Sequence, residues 1–451
     1  MKLINAKLGL NSLGGDYMSK ERYINLELEA SQDGFLIGRF SCSKDIRKYV
    51  RSNILYVKYD RSLDGVDSGI LHIPFVSNVI TFAWAMGADI YVKELDENFL
   101  KSLDKIKAIM KRWYPIFPFS TRIKVEKVTS NSFDNNGCGL LFSGGLDSTA
   151  SYIVHKNQKP NLIMVWGADI PPDRYDFLNK LENYYKKFAV QENVKINFVR
   201  TNMRFLRESM LAFKFGKYLS DSSWWGALQH GVGLLGLCAP LTVTERIGTI
   251  FIASSHTQEL FDYQWGSHPL IDNKVSWANV KVVHDGYELT RQEKIRNILK
   301  NYIENTGRYP LLRVCYSQFD DFNCNKCEKC SRTITGLVLE NIDPNRCGFN
   351  IGSDFFDSLK QNLMERKFIL SLGRVFLWKD IQKYIPKEMS HNLYNCKEFF
   401  RWLKDFEFSE VRQSNLDVKK YLAYLFHQMP ENMQKAVLKF SRNYSLLSML
   451  K

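Results

Sequence analysis

Nowhere in this 451-residue chain do about 20 apolar residues follow one another, so the sequence offers no membrane span. The nearest approach, "FVSNVITFAWAMGADIYV", carries Asn78 and Asp89 and reads as a buried helix leading into a strand. The opening "MKLINAKLGLNSLGGDY" lacks an apolar core and a small-residue cleavage site, so no secretory signal is expected. An even disulfide framework is missing too. There are nine cysteines, four of them bunched, which points to a reducing, cytoplasmic setting. Internal repeats and low-complexity tracts are absent. Acidic side chains are in deficit, with 62 Lys and Arg against 48 Asp and Glu and a net charge of +14. The excess sits in the two flanks around a near-neutral middle. That suits a polyanionic partner such as tRNA, DNA or an acidic protein, and equally a dispersed, solvated basic surface.

What is present is a globular composition, 45% hydrophobic and 14% aromatic, in a chain long enough for two or three domains. Residues 1–130 alternate strand-like runs ("YINLELEA", "GFLIGRF", "NILYVKYD", "TRIKVEKV") with helical ones. Among the latter, "ENFLKSLDKIKAIMKRWYP" should stop at Pro115, and together these predict an N-terminal α+β domain. The polar "VTSNSFDNNG" marks a boundary near 128–137. From 137 to 348, strand and helix patterns alternate, predicting an α/β domain whose parallel sheet binds ligands beyond the carboxyl ends of its strands. Residues 350–451 read as a helical region whose recurring aromatics belong to a core.

The stretch "GCGLLFSGGLDSTASYIVHK", residues 137–156, carries the chemistry. A strand ends at Phe142, Ser143 to Asp147 turn, and a helix can propagate from Ser148. Gly144 and Gly145 can take positive φ and bring bare backbone to a ligand. Successive N–H groups ahead of a helix make an anion site suited to pyrophosphate, and the hydroxyls of Ser143, Ser148 and Thr149 add donors. Asp147 beside phosphates makes sense if it acts through Mg²⁺ or caps the helix. The pattern is neither a Walker A loop nor a three-glycine dinucleotide fingerprint.

"FSGGLDST" resembles the signature of the PP-loop ATP pyrophosphatases. The resemblance implies that Phe142, Ser143, Gly144, Gly145, Leu146, Asp147, Ser148 and Thr149 hold ATP, with Ser143, Asp147 and Ser148 nearest the chemistry. It further implies adenylation. A substrate oxygen attacks the α-phosphate of ATP, brought in with Mg²⁺, and pyrophosphate leaves. Trp166, Gly167 and Asp169, at the end of the second strand of this region, fall where such proteins hold adenosine; Asp169 can equally cap the next turn.

"LRVCYSQFDDFNCNKCEKCSRT" sets Cys315, Cys324, Cys327 and Cys330 at C-x8-C-x2-C-x2-C. Four thiolates at that spacing can close on one tetrahedral centre, which indicates structural Zn²⁺, with an iron–sulfur cluster as the alternative. Lys326, Lys329 and Arg332 would offset the negative charge of the four sulfurs. Cys42, Cys138, Cys238, Cys347 and Cys396 read as buried small hydrophobes.

A PP-loop early and four cysteines late in one α/β region resemble the 7-cyano-7-deazaguanine synthases, over roughly half the chain. Where that family commonly has glycine after the second cysteine of its zinc turn, this chain has Asn325, which tolerates positive φ. The family adenylates the carboxylate of 7-carboxy-7-deazaguanine and makes an amide and then a nitrile. The extra flanks resemble longer relatives in bacterial anti-phage loci, of the Qat type and of the cyclic-oligonucleotide signalling type. The likeness implies a 7-deazaguanine-type substrate, a macromolecular amine as acceptor, and protein partners from the same locus. Ser267, His268 and Asp272 are the candidates for reading the base, Asp272 through two adjacent donors of a guanine-like edge. Arg204 and His230 are weaker candidates, His230 being read as a satisfied structural residue. Thr290 and Glu293 fit a capping box and are assigned no chemistry. Two other functions fit the same motifs: a tRNA-modifying PP-loop enzyme (a thiolase or lysidine-type ligase), and an inactive nucleotide-binding scaffold.

Overall fold

The structure, a computed structural model, describes residues 21–31, 33–220, 223–315 and 321–408, with Leu425, Phe426, Met429 and Met433 beyond them. The N-terminal segment read for a signal, and most of the chain after 408, lie outside the described residues.

Eleven strands form one mostly parallel α/β sheet in the order β10-β11-β9-β6-β7-β8-β3-β2-β1-β4-β5. They are β1 Tyr23–Ala30, β2 Phe35–Cys42, β3 Ile54–Tyr59, β4 Asp89–Asp96, β5 Ile123–Thr129, β6 Gly137–Leu141, β7 Asn161–Trp166, β8 Ile196–Thr201, β9 Ile247–Ala253, β10 Ser276–Trp277 and β11 Val280–Asp285. The strands expected from the sequence form. β10 and β11 come in addition, β10 only two residues long at the sheet's end and β11 alternating buried and exposed positions beside it. The helix Glu97–Trp113 stops just before Pro115, Asp96 capping its start by accepting from the Phe99 N–H at 2.9 Å.

The polar segment 130–136 carries no helix or strand and separates β5 from β6. The sheet itself does not stop there. β3 pairs antiparallel with β8, matching Val57 with Thr201 and Tyr59 with Val199. Asn202 lengthens this seam, accepting from the Tyr56 N–H at 2.8 Å and donating to the Ile54 carbonyl at 2.9 Å. One hydrophobic core accordingly contains Leu26, Val57 and Phe75 together with Val199, Val232 and Ile250.

Two apolar helices seal this core. Ile73–Met86 is buried at every position and packs on His230–Leu237. Asn78 lies between them with no exposed surface. Its Nδ2 donates to the Pro74 and Gly233 carbonyls at 2.8 and 3.2 Å, and its Oδ1 accepts from Gln229 Nε2 at 2.9 Å. One helical run, Trp225–Thr244, does pass the length and hydropathy test for a membrane span, contrary to the sequence reading, with 83% of that window buried inside the fold. Its apolar character matches its place in the core.

The later chain supplies three longer helices, Phe355–Met364, Leu372–Lys383 and Cys396–Asp405. Phe356, Trp378, Phe399 and Phe400 fill a core shared with Leu146, Leu299 and Leu337, as expected for core aromatics.

Beyond the carboxyl ends of the strands, the order β8-β7-β6-β9-β11 has one reversal. The chain builds outward from β6 through β7 to β8 and then returns to lay β9 on the other side of β6. Such a reversal leaves a crevice between the two strand ends. Asn78→Ala should lower stability by roughly 1–3 kcal/mol, since it leaves one buried N–H of Gln229 and the Gly233 carbonyl without the Asn78 partner; urea denaturation reads this as a fall in midpoint.

Candidate functional site

A cavity of about 390 Å³ opens at that crevice. A groove of about 700 Å³ lies over β1, β4 and β5, but there Lys93 and Lys124 are matched by Glu27 and Glu126. The crevice is different. Arg291, Arg313, Lys329, Arg332 and Arg374 line it against the carboxylates of Asp147 and Asp169.

The glycine turn forms its floor. Gly144 has φ +72°, and a Cβ there would collide with the Tyr185 hydroxyl, so only glycine fits. Gly145, by contrast, is extended at φ −78° and ψ 171° and is the N-cap of the helix Leu146–His155. The helix thus starts two residues earlier than the sequence reading placed it. Ser148 Oγ donates to the Gly145 carbonyl at 3.2 Å, and Ser143 Oγ accepts from the Gly145 N–H at 3.3 Å, so the turn braces itself. Phe142, Ser143, Gly145, Leu146, Asp147 and Ser148 line the cavity, as do Trp166 and Asp169. Gly144, Thr149 and Gly167 do not. Thr149 instead faces a small apolar space beside Phe142, Tyr152 and Tyr185, because it stands a third of a turn round the helix from Ser148. Gly167, at φ +113°, packs against the Thr201 carbonyl.

Asp147 does not cap the helix. Its carboxylate is bridged by both nitrogens of an Arg291 fork, with Lys294 Nζ 3.7 Å away. Burial opposes its ionisation, but the charges of Arg291 and Lys294 and the Arg291 hydrogen bond outweigh it. They hold the carboxyl well below the usual range. Lys294 also donates to the Ser254 carbonyl at 2.5 Å, at the carboxyl end of β9. Thr290 and Glu293 do form the capping box, and it orients the turn that carries Arg291.

The four cysteines meet. All four Sγ atoms lie within 4.8 Å of one another, with Cys315 to Cys327 at 4.0 Å and Cys324 to Cys330 at 3.9 Å. A tetrahedral zinc site with bonds of about 2.3 Å needs sulfurs roughly 3.8 Å apart, so the residues fit a metal ion such as zinc. Asn325 takes φ +60°, as expected for the turn. Of the other cysteines, Cys238, Cys347 and Cys396 are buried and Cys42 and Cys138 half-buried, all as free thiols.

The cysteine cluster also positions the cationic wall. Arg313 precedes Cys315, and its N–H donates to the Gly144 carbonyl at 2.8 Å. Lys329 and Arg332 flank Cys330 on the helix Glu328–Leu339. Arg332 Nε donates to Glu328 Oε1 at 2.7 Å, and Trp378 Nε1 donates to the same oxygen at 3.1 Å. Sequence reading took Lys329 and Arg332 only as counter-charges for the sulfurs, and Arg291, Arg313 and Arg374 not at all. Their one available signal was repetition of Arg and Lys beside the cysteines and after the capping box.

The far end of the cavity is aromatic, with Trp225, Trp265, His230 and His256. His230 is no satisfied structural residue. It lines the cavity, and its Nδ1 is buried without a hydrogen-bond partner among the described residues. Burial and the charge of Arg291 push His256 down to about 3. Ser267, His268 and Asp272 are not brought to this wall. Ser267 Oγ donates to Asp272 Oδ2 at 2.7 Å, His284 Nδ1 lies 2.8 Å from the same oxygen, and His268 spans the Leu270 N–H and the Phe261 carbonyl. Asp272 Oδ1 stays buried without a hydrogen-bond partner among the described residues, and none of the three side chains lines the cavity.

Compared with known protein families, curated proteins and solved structures, the chain matches none.

Metal analysis of purified protein should find about one zinc per chain, lost in Cys327→Ser together with the protease resistance of the helix Glu328–Leu339. For His256, the unfolded chain binds a proton below about pH 6.5 and the folded chain does not until about pH 3. Stability should therefore fall as pH drops through that window, by at most about 1.4 kcal/mol per unit. His256→Asn should flatten the slope measured by denaturation at successive pH values.

Proposed function

We propose that this chain is an ATP pyrophosphatase of the PP-loop kind that adenylates a carboxylate. The observation that carries the reading is the cationic crevice. A glycine turn and a helix start face five Arg and Lys side chains at the reversal point of a parallel sheet. The first N–H groups of the helix Leu146–His155 have no intrahelical acceptor, which favours an anion there.

In this reading MgATP is the substrate, with its β- and γ-phosphates against the turn formed by Ser143, Gly145 and Ser148. Arg313, Lys329 and Arg291 take up charge as the α–β bridging oxygen leaves with pyrophosphate, the electrostatic contribution on which such catalysis rests. The acceptor carboxylate oxygen bonds to the α-phosphorus, giving an acyl adenylate. An amine then displaces AMP and forms an amide, releasing one proton. Ammonia or a macromolecular amine would serve. Arg291 has two possible partners, Asp147 and the incoming phosphates, so nucleotide binding exchanges one for the other. Adenosine would lie toward Trp166 and Asp169. The flat walls of Trp225 and Trp265 suit a planar heterocyclic acid, and 7-carboxy-7-deazaguanine is the first to test. Zinc held by Cys315, Cys324, Cys327 and Cys330 would be structural, four thiolates leaving no open position. A cytoplasmic role in anti-phage defence, with partners from the same locus, belongs to the same reading.

Incubation with α-labelled ATP, Mg²⁺ and the acid should yield AMP and pyrophosphate in equal amounts. Arg291→Ala and Ser143→Ala should each cut the rate by about 10²–10³. ADP and phosphate as products, or turnover indifferent to both substitutions, would sink the reading.

A further inference from the structure

A second concentration of positive charge lies outside the cavity, assembled from two distant segments. Residues 47–51 and 204–207 run side by side. The Arg51 N–H donates to the Phe205 carbonyl at 2.8 Å, the Arg207 N–H to the Tyr49 carbonyl at 2.8 Å, and Val50 bridges Leu206. Tyr49, Val50, Phe205 and Leu206 are all buried. The pairing brings the cations of the two segments close together. Arg207 Nη1 donates to the Lys48 carbonyl at 3.0 Å. Lys48 and Lys214 both stand over the Tyr49 ring, at 5.4 and 5.8 Å from its centre.

Among the described residues, the acids beside these segments, Asp45 and Glu208, are both engaged. Asp45 pairs with Arg22 at 2.6 Å; Glu208 pairs with Arg204 at 3.0 Å and also accepts from Ser223 and the Trp225 N–H. Partial burial and the nearby charges of Arg22 and Lys48 depress the Lys214 pKa, the mark of cations crowded together. Beside them, Phe213 and Tyr218 are 45% and 41% exposed, with Lys217 Nζ 4.8 Å from the Tyr218 ring centre.

The patch reaches the cavity wall through one residue. The Arg204 guanidinium lies 4.5 Å from the centre of the Trp225 ring, and its Nη1 donates to the Ala168 carbonyl at 3.2 Å. Trp225 and Ala168 both line the cavity.

We infer that this surface binds single-stranded nucleic acid, phosphates on Lys48, Arg51, Arg207 and Lys214 and bases against Phe213 and Tyr218. Cations that track a backbone, interleaved with exposed rings that accept any base, are what an unpaired strand requires. A duplex would leave the rings unused. An acidic protein would use only the charges. Joined to the adenylation reading, on which this part rests, the strand's end or an unpaired base becomes the macromolecule presented past Arg204 to the aromatic end of the cavity.

Fluorescence anisotropy with the full chain tests binding without ATP, using a labelled 20-nucleotide single-stranded RNA, its DNA equivalent, a duplex and polyglutamate. Single strands should bind most tightly and weaken steeply with salt. Lys48→Glu with Lys214→Glu should cost about tenfold or more and lower the log–log salt slope by roughly 1.4. Phe213→Ala should weaken the single strands and leave polyglutamate unchanged. Pyrophosphate formation from ATP and the free acid should be unaltered in the charge-reversed protein, so loss of binding and loss of chemistry are read separately. Equal or tighter binding of polyglutamate would assign the surface to an acidic protein instead. Binding indifferent to the reversed charges, or none at all, would overturn the inference.

Discussion

The crevice depends on a few carboxylates, Asp147 first among them. Five Arg and Lys side chains around one cavity repel one another, and burial makes each charge harder to hold. Asp147 relieves part of that repulsion, and Asp169 and Glu328 share the rest. Asp147 binds Arg291 through a fork and stands 3.7 Å from Lys294, so the helix after the glycine turn is tied to the chain following β11. Asp147 also sits in the first turn of its helix, where a negative charge is favoured by the helix dipole. Local and tertiary preferences therefore agree at this residue. Without it, two buried cations lose their nearest counter-charge, and breaking such a pair usually costs more than the pair contributes.

The cysteine cluster is the second constraint, and it works through the backbone. A short stretch leads from Arg313 to Cys315, and Cys330 stands between Lys329 and Arg332. A metal held by the four sulfurs would fix both walls relative to the glycine turn, which Arg313 also grips through its backbone N–H. The cysteine cluster is thus joined through the backbone to the charged wall. The later helices add a third brace. Asp380 accepts from the Gln292 N–H at 3.0 Å, and the Tyr384 hydroxyl donates to Glu293 at 2.8 Å. Helix Leu372–Lys383 is thereby anchored beside Arg291 and carries Arg374 to the cavity.

Much of this was legible in the sequence, for reasons that differ by element. The strands β6 to β9 read well because their apolar runs end in polar turns, and the glycine turn because its residue types are tied to backbone geometry. The cysteines read well because ligand spacing is local. The cationic wall was hidden because its members come from four separate segments, and each arginine alone resembles any surface arginine. Ser267, His268 and Asp272 are close in sequence and chemically suggestive, yet they do not line the cavity, and Ser267 and His268 are held by hydrogen bonds to Asp272, Leu270 and Phe261. The seam between β3 and β8 could not be read either, since strand pairing across 140 residues leaves no periodic trace.

That seam has a functional consequence. Because β3 joins β8, the segment after β2 and the segment after β8 are brought side by side, and this is where Val50 meets Leu206. The basic excess of the N-terminal flank is therefore not spread over a separate unit. Part of it is folded against the wall that carries Trp225. The same continuity puts Asn78 of the early chain against Gln229, one residue before His230 on the cavity's aromatic side. An early segment that carries no recognisable chemistry still shapes the far end of the site. It holds the helix that presents His230 and extends the positive surface away from it. A chain with only the central strands would keep the glycine turn and the cysteine cluster and lose that approach.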